Sequence, residues 1–264
     1  MILSETLSLL RELHGPSLER IRVSDAVVGI HFSAIKLSDG SGGMAGTPRP
    51  EDGPLPRRKC EVPGELKGEP VLALLEPFVE EVFQRSLAVA AMNALSSPWL
   101  DHKRYRVVYD KDALDLVPLH AGMTVTLVGA FPSYIERLKS ADGIRLRVLE
   151  LRESAFHEED KAYYVPAKEA RAVIPDSDVL LITGLTLANE TLDEFLGFLR
   201  PGTFAVVVGP SGSILPDALF RRDVSMASGC VLTDPDAALK LLSQGACARH
   251  LYGRCARKVN LSPL

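Results

Sequence analysis

The sequence predicts an α/β protein, a mostly parallel sheet with helices on both faces preceded by a smaller α+β unit. Two patterns carry that prediction. Beyond residue 110, short apolar runs at 123–128, 145–149, 179–182 and 204–208 alternate with helical stretches at 134–140, 167–173 and 191–199. Alternation of that kind builds a parallel sheet whose crossovers are helices. Before residue 110 the order is a helical stretch, a β-rich stretch, a Gly/Pro-rich stretch and a second helical stretch. With 46% hydrophobic and 24% charged residues among 264, the composition is that of a globular protein with a real core.

The elements follow in chain order. Leu7, Leu9, Leu10 and Leu13 are spaced as a helix over 3–14, stopped by Gly15 and Pro16. Between 21 and 37, Val23, Val27, Val28, Ile30, Phe32 and Ile35 predict two adjacent strands, turning around Asp25 or bending at Gly29. His31, inside this apolar stretch, reads as a satisfied core histidine. The Gly and Pro density of 39–70 argues against a long helix or a central strand, leaving a plain surface loop or an active-site loop. Residues 71–95 read as a helix broken near Pro77, with a second half apolar almost all round and therefore buried. The Asn93 amide in that half must be satisfied by structure or by a ligand. A charged connection, Asp101, His102, Lys103 and Arg104, leads into the second unit, and the domains are placed at 1–108 and 109–264.

Charge and cysteine content narrow the function classes. Thirty basic against thirty-four acidic residues give a net charge of -4, the opposite of a general nucleic-acid binder. No run of apolar residues is long enough to span a membrane, and the N-terminal residues do not read as a leader, so a cytoplasmic protein is expected. Cys60, Cys230, Cys247 and Cys255 are too scattered for a disulfide framework. Cys247, His250 and Cys255 offer two thiols and an imidazole close together, short of a four-ligand zinc pattern.

Ligands of an open parallel sheet bind outside the C-terminal ends of its strands, and that rule selects the loops. The first strand runs into Gly129, Ala130, Phe131 and Pro132, which is not a dinucleotide glycine fingerprint. The second ends at Glu150, about twenty residues later, where dinucleotide folds keep a ribose-binding acid; a surface carboxylate is the plainer alternative. The third ends in Thr183, Gly184, Leu185, Thr186 and, further on, Asn189, a good N-cap for a helix at Thr191. The fourth ends in Gly209, Pro210, Ser211 and Gly212, small residues suited to holding an anion but lacking the phosphate-loop lysine.

These loops resemble a known family. Gly129-Ala130-Phe131-Pro132, the stretch from Thr183 to Leu192, and Gly209-Pro210-Ser211 carry the likeness, and Leu215-Pro216-Asp217 and Val231-Leu232-Thr233-Asp234-Pro235 extend it. They are similar to the Rossmann-like domain of the heavy-metal chelation family, first known as a domain of unknown function. Residues 29–35 and 88–94 resemble that family's companion N-terminal domain. The resemblance implies an enolase-N-terminal-like α+β domain joined to a Rossmann-like domain, with the site in a cleft between them. The sequence departs from the family pattern at Leu185, where a threonine is usual, at Gly212 and Ser213 after Ser211, and at Phe32-Ser33.

The leading expectation is binding of a small metal-containing or metal-chelating ligand in that cleft. Backbone N–H groups at Gly129 and Ala130 and at Ser211 and Gly212 would meet anionic groups, and Thr183, Thr186, Asn189 and Asn93 would add neutral hydrogen bonds. The expected partner is a small-molecule or metal ligand, a heavy metal or a metal chelate, with no nucleic acid, no membrane insertion, and a homo-oligomer left open. Two alternatives stand beside it. One is an enzyme using a nucleotide-like cofactor such as a methyl donor, with Glu150 on the ribose. The other is a non-catalytic partner of a metal transporter or assembly complex.

Overall fold

The structure, a computed structural model, describes residues 1–48, 64–75 and 82–264, and of Val82 and Phe83 the backbone only. The expected helix break near Pro77, residues 49–63 of the Gly/Pro-rich stretch, and Cys60 lie outside the described residues.

Helix α1, Ile2–His14, buries Ile2, Leu3, Leu7 and Leu10 along one face. Strands β1, Val23–Val28, and β2, Phe32–Leu37, form the expected hairpin, antiparallel, with Gly29 donating to Phe32 O across the turn. His31 sits in that turn and not in a strand. The Gly-rich residues Gly42–Gly46 form a third strand, β3, at the sheet edge. An edge position tolerates what a central strand would not, because the absent side chains make room for a helix. That helix is α3, Val82–Ser96, preceded by the short α2, Val71–Leu75. A Cβ on Gly43 would stand 2.1 Å from Ala90 O and 2.4 Å from Ala94 N. Only glycine lets β3 lie that close to the α3 backbone.

The large sheet has eight strands: β4 (Arg106–Tyr109), β5 (Thr124–Val128), β6 (Arg145–Glu150), β7 (Tyr164–Pro166), β8 (Val179–Thr183), β9 (Phe204–Val208), β10 (Val224–Leu232) and β11 (Ala256–Ser262). Its order is β4-β11-β10-β9-β8-β5-β6-β7, parallel from β10 to β7 and antiparallel at β11 and β4. All five residues of β5 are buried because the strand is central and covered on both faces. Val125 and Leu127 enter one apolar cluster and Val128 the other, as strand alternation requires. Strand β4 spans the expected domain boundary, yet it pairs with β11, so the chain enters the large sheet by Arg106.

Helix α4, Pro132–Lys139, follows β5, and α5, Ala170–Val173, follows β7. After β8 come two short helices, α6, Leu185–Ala188, and α7, Leu192–Leu196. Helix α8, Asp217–Phe220, precedes β10, and α9, Pro235–Ser243, and α10, Ala248–Leu251, precede β11. The two sheets share packing. Ala34 and Met44 of the small sheet bury against Cys230 of β10 and Ala238, Leu239 and Leu242 of α9, while α3 covers the opposite face and continues into the main core. Among the described residues, no helix is long and apolar enough to cross a membrane.

Helix α1 is tied to the second unit by charge. Arg221 and Arg222 donate to Glu5, and Arg222 also pairs with Asp193 at 3.0 Å. Hydrogen bonds from Arg222 and then Arg221 hold the Glu5 carboxyl down at about 2. A depressed carboxyl adds stability above its unfolded pKa and loses it as pH falls through the folded one. Glu5→Gln is therefore expected to be less stable than the parent near neutral pH, by about 1 kcal/mol after solvent screening. The gap should close between about pH 5 and pH 2. Urea midpoints across that range check it, and a gap independent of pH would disprove it.

Candidate functional site

Three strand ends meet at one rim. The chain leaves β5 through Gly129, whose φ of +99° is a conformation that L side chains rarely adopt. A Cβ there would lie 3.1 Å from Thr183 Cγ2 and 3.8 Å from Phe131 Cε2, so the β5 loop rests directly on the end of β8. One residue on, a Cβ at Gly184 would be 2.7 Å from Gly212 N and 3.2 Å from Ser211 Cβ, which joins the β8 and β9 loops. The small sheet closes the circuit. Gly46 N donates to Ser211 Oγ at 2.8 Å, and Ser86 Oγ of α3 donates to Gly46 O at 2.9 Å. Gly129 and Thr183 thus stand at one continuous rim, with Ser211 packed directly beneath it.

Strand order gives this rim its meaning. From β5 the chain winds outward to β6 and β7, and it then crosses to the other side of β5 for β8, β9 and β10. The winding reverses between β5 and β8, where open α/β sheets leave a crevice for ligands. Gly129 and Thr183 flank that point.

The structure divides the expected site residues. Gly129, Ala130, Phe131, Thr183 and Pro210 are half-exposed at the rim. Gly184, Thr186, Ser211, Gly212 and Asn93 are buried beneath it. Thr186 Oγ1 donates to Thr183 O at 2.6 Å, which pins the turn after β8. Asn93 Nδ2 donates to Met44 O at 2.8 Å and to Pro210 O at 2.9 Å, a clamp between β3 and the β9 loop. Asn189 is exposed and ends α6; Thr191, not Asn189, occupies the N-cap position of α7. The extra turn of α6 inserts between them and shifts the helix start.

Three of the four N–H groups expected to form the anion cradle are already bonded within the chain. Gly129 N donates to Leu149 O, Ala130 N to Glu150 Oε2 at 3.0 Å, and Gly212 N to Gly209 O. The second Glu150 oxygen accepts from Leu151 N at 2.7 Å. Glu150 therefore brings its own negative charge to the glycine turn, and the turn does not offer a free nest to a phosphate or carboxylate. On the other flank Arg85 pairs with Glu190 at 2.9 Å.

The donor set does not fit a bare metal ion. Among the described residues, no three His, Cys, Asp or Glu side chains gather within reach of one cation. Cys247 Sγ lies 3.3 Å from His250 Nδ1, but Cys255 is buried elsewhere on its own bond to Leu251 O. Burial pushes the Cys230 thiol up to about 12 and raises Cys255 as well, so neither offers a thiolate. Two hollows of about 260 and 500 Å³ open at the far end of the sheet, around Phe204 and Ser225, away from the strand-end rim.

A family model described as "Putative heavy-metal chelation", DUF364, matches residues 112–261, more than half of the chain. The chain belongs to the DUF364 family. A second model with the same description, DUF4213, matches residues 11–96. The small sheet and α3 fall in the DUF4213 stretch and the large sheet from β5 onward in the DUF364 stretch. An uncharacterized protein of Methanocaldococcus jannaschii is 27% identical over 174 residues, 64% of this chain and 64% of that protein. The crystal structure of a DUF364 protein of unknown function from Pyrococcus horikoshii matches with a TM-score of 0.79 at 20% identity, over 99% of this chain and 100% of that one. A DUF364 protein from Desulfitobacterium hafniense DCB-2 matches with a TM-score of 0.70 at 20% identity, over 97% and 98%. Both likenesses show the fold alone.

Proposed function

We propose that this DUF364 protein handles a heavy metal as a chelate, its organic shell held at the rim between β5 and β8. The observation that carries the reading is the placement of half-exposed Gly129 and Thr183 on either side of the switch point. What the rim offers is the hydroxyl of Thr183, the ring edge of Phe131 and backbone beside a glycine that admits close approach. Such groups grip an organic surface by hydrogen bonds and packing, and they are poor ligands for a soft ion. The metal in this reading is cargo, and its own ligands come from the chelator.

Equilibrium dialysis with nickel ion alone and with nickel citrate, followed by native mass spectrometry, tests it. Retention of nickel together with the organic mass is expected. Thr183→Val removes one hydroxyl at nearly constant shape and is expected to weaken that retention about fivefold. Stoichiometric uptake of nickel without citrate, or retention unchanged by Thr183→Val, would overturn the reading.

A further inference from the structure

Arg152 stands apart from the other cations of the fold. Among the described residues, five arginines are half-buried: Arg85, Arg104, Arg147, Arg152 and Arg222. Four of them pair with a carboxylate, namely Arg85 with Glu190, Arg104 with Asp217, Arg147 with Asp176, and Arg222 with Glu5 and Asp193. Arg152 has neither a hydrogen-bonding nor an ion-pairing side-chain partner among the described residues. A guanidinium carries five donors in a planar fork and keeps its charge at any ordinary pH, so an unpaired one beside a strand end has its whole fork available to a ligand.

Its position is equally specific. Arg152 follows the C-terminal end of β6, the strand beside β5 on the side away from the switch point, and lies two residues beyond Glu150. Glu150 is bonded to Ala130 N and Leu151 N and is not within ion-pair distance of Arg152. Because Glu150 occupies the N–H of the glycine turn, backbone groups there cannot neutralise an anionic ligand. A positive side chain is the remaining means of doing so, and Arg152, two residues past the end of β6, is an unpaired one at that edge.

We propose that Arg152 is the anion-recognition residue of the rim, taking an oxyanion of the ligand, carboxylate or phosphate, on its planar fork. This rests on the reading of the rim as a ligand site, and it narrows the ligand to an oxyanion-bearing molecule. An arginine held for structure would behave differently when removed: it would take its contacts with it and destabilise the free protein.

The test uses citrate and pyrophosphate as probes, with binding followed by calorimetry and apo stability by thermal unfolding. Saturable binding of at least one probe to the parent protein is expected. Arg152→Gln should weaken it at least about thirtyfold while leaving the apo melting temperature unchanged or higher, and Arg152→Lys, which keeps charge without the fork, should fall between. Preference for citrate assigns a carboxylate, and preference for pyrophosphate a phosphate. Arg171→Gln, a change at an exposed arginine, should alter nothing. No saturable binding of either probe, unchanged affinity in Arg152→Gln, or a lowered apo melting temperature would each overturn the proposal. If Arg152→Gln abolishes binding while Thr183→Val leaves it intact, Arg152 stands and the switch-point reading falls.

Discussion

Gly43→Ala is expected to lower stability by about 3 kcal/mol or more, while Gly46→Ala three residues along the same strand stays within about 1 kcal/mol. Both changes replace glycine by alanine in β3, so strand propensity alone treats them alike. Their surroundings differ. The Gly43 methyl would meet Ala90 O at 2.1 Å and Ala94 N at 2.4 Å, backbone atoms of α3 that cannot yield without moving the helix. At Gly46 the nearest atom is Leu185 Cδ1 at 3.1 Å, the far end of a flexible side chain. Separating β3 from α3 would also pull on Gly46 and its bond to Ser211, so the cost reaches the rim. Urea midpoints of the two variants decide the matter, and equal losses would show that the close approach is not what the glycine serves.

Much of the large sheet is legible in the sequence. β5, β8 and β9 are parallel and buried on both faces, so they read as mostly apolar runs, and β6, nearer the sheet edge, shows itself by Leu146, Val148 and Leu149 alternating with Arg145 and Arg147. The other strands do not announce themselves. β10, Val224–Leu232, is rich in serine, alanine and glycine because Ser213 packs onto it: a Cβ at Gly229 would lie 2.2 Å from Ser213 Oγ. β11 carries Asn260 inside an antiparallel pair, and β4 is four residues long. β3 reads as a loop because its glycines serve a helix packed against it, a condition that exists only in the folded molecule. Helix α9 was within reach of sequence reasoning, since Asp234 caps Ala237 N ahead of Pro235 in the first turn.

For the site, the strand-end rule located the loops but not the state of their polar groups. Position along the chain puts Gly129 beside Glu150 and leaves open which of the two meets a ligand. The fold answers by joining Ala130 N to the Glu150 carboxylate, a contact across neighbouring strands that no local pattern encodes. Thr183 and Thr186 look equivalent in sequence, yet a turn of α6 leaves the first at the rim and turns the second inward onto Thr183 O. Arg152 gives no signal at all in the sequence. It becomes visible only by comparison, when every other half-buried arginine among the described residues is found beside a carboxylate.

Asn93→Asp is expected to be the second most damaging change, about 3 kcal/mol at neutral pH, and to recover in acid. The amide sits 3% exposed, with both Nδ2 hydrogens engaged by Met44 O and Pro210 O and with Oδ1 unpartnered. A carboxylate in its place would present negative charge to two carbonyl oxygens with no donor in reach. Burial and those oxygens both raise the carboxyl above its unfolded pKa of about 3.9. A group whose folded pKa is raised gives its full support below the unfolded value and loses it as pH rises through the folded one. The deficit against the parent should therefore be smallest below about pH 4, where the neutral acid can still donate to one carbonyl, and grow toward neutrality. Asn93→Leu supplies the contrast. It removes both donors without adding charge, and Pro210 O retains Ser213 as a partner, so a loss of about 2 kcal/mol independent of pH is expected. Denaturant midpoints of the three proteins over this range separate a clamp from a space-filler. If Asn93→Leu costs nothing, the amide does no more than occupy volume between β3 and the β9 loop, and a deficit of Asn93→Asp that does not change with pH would show that no buried charge forms there.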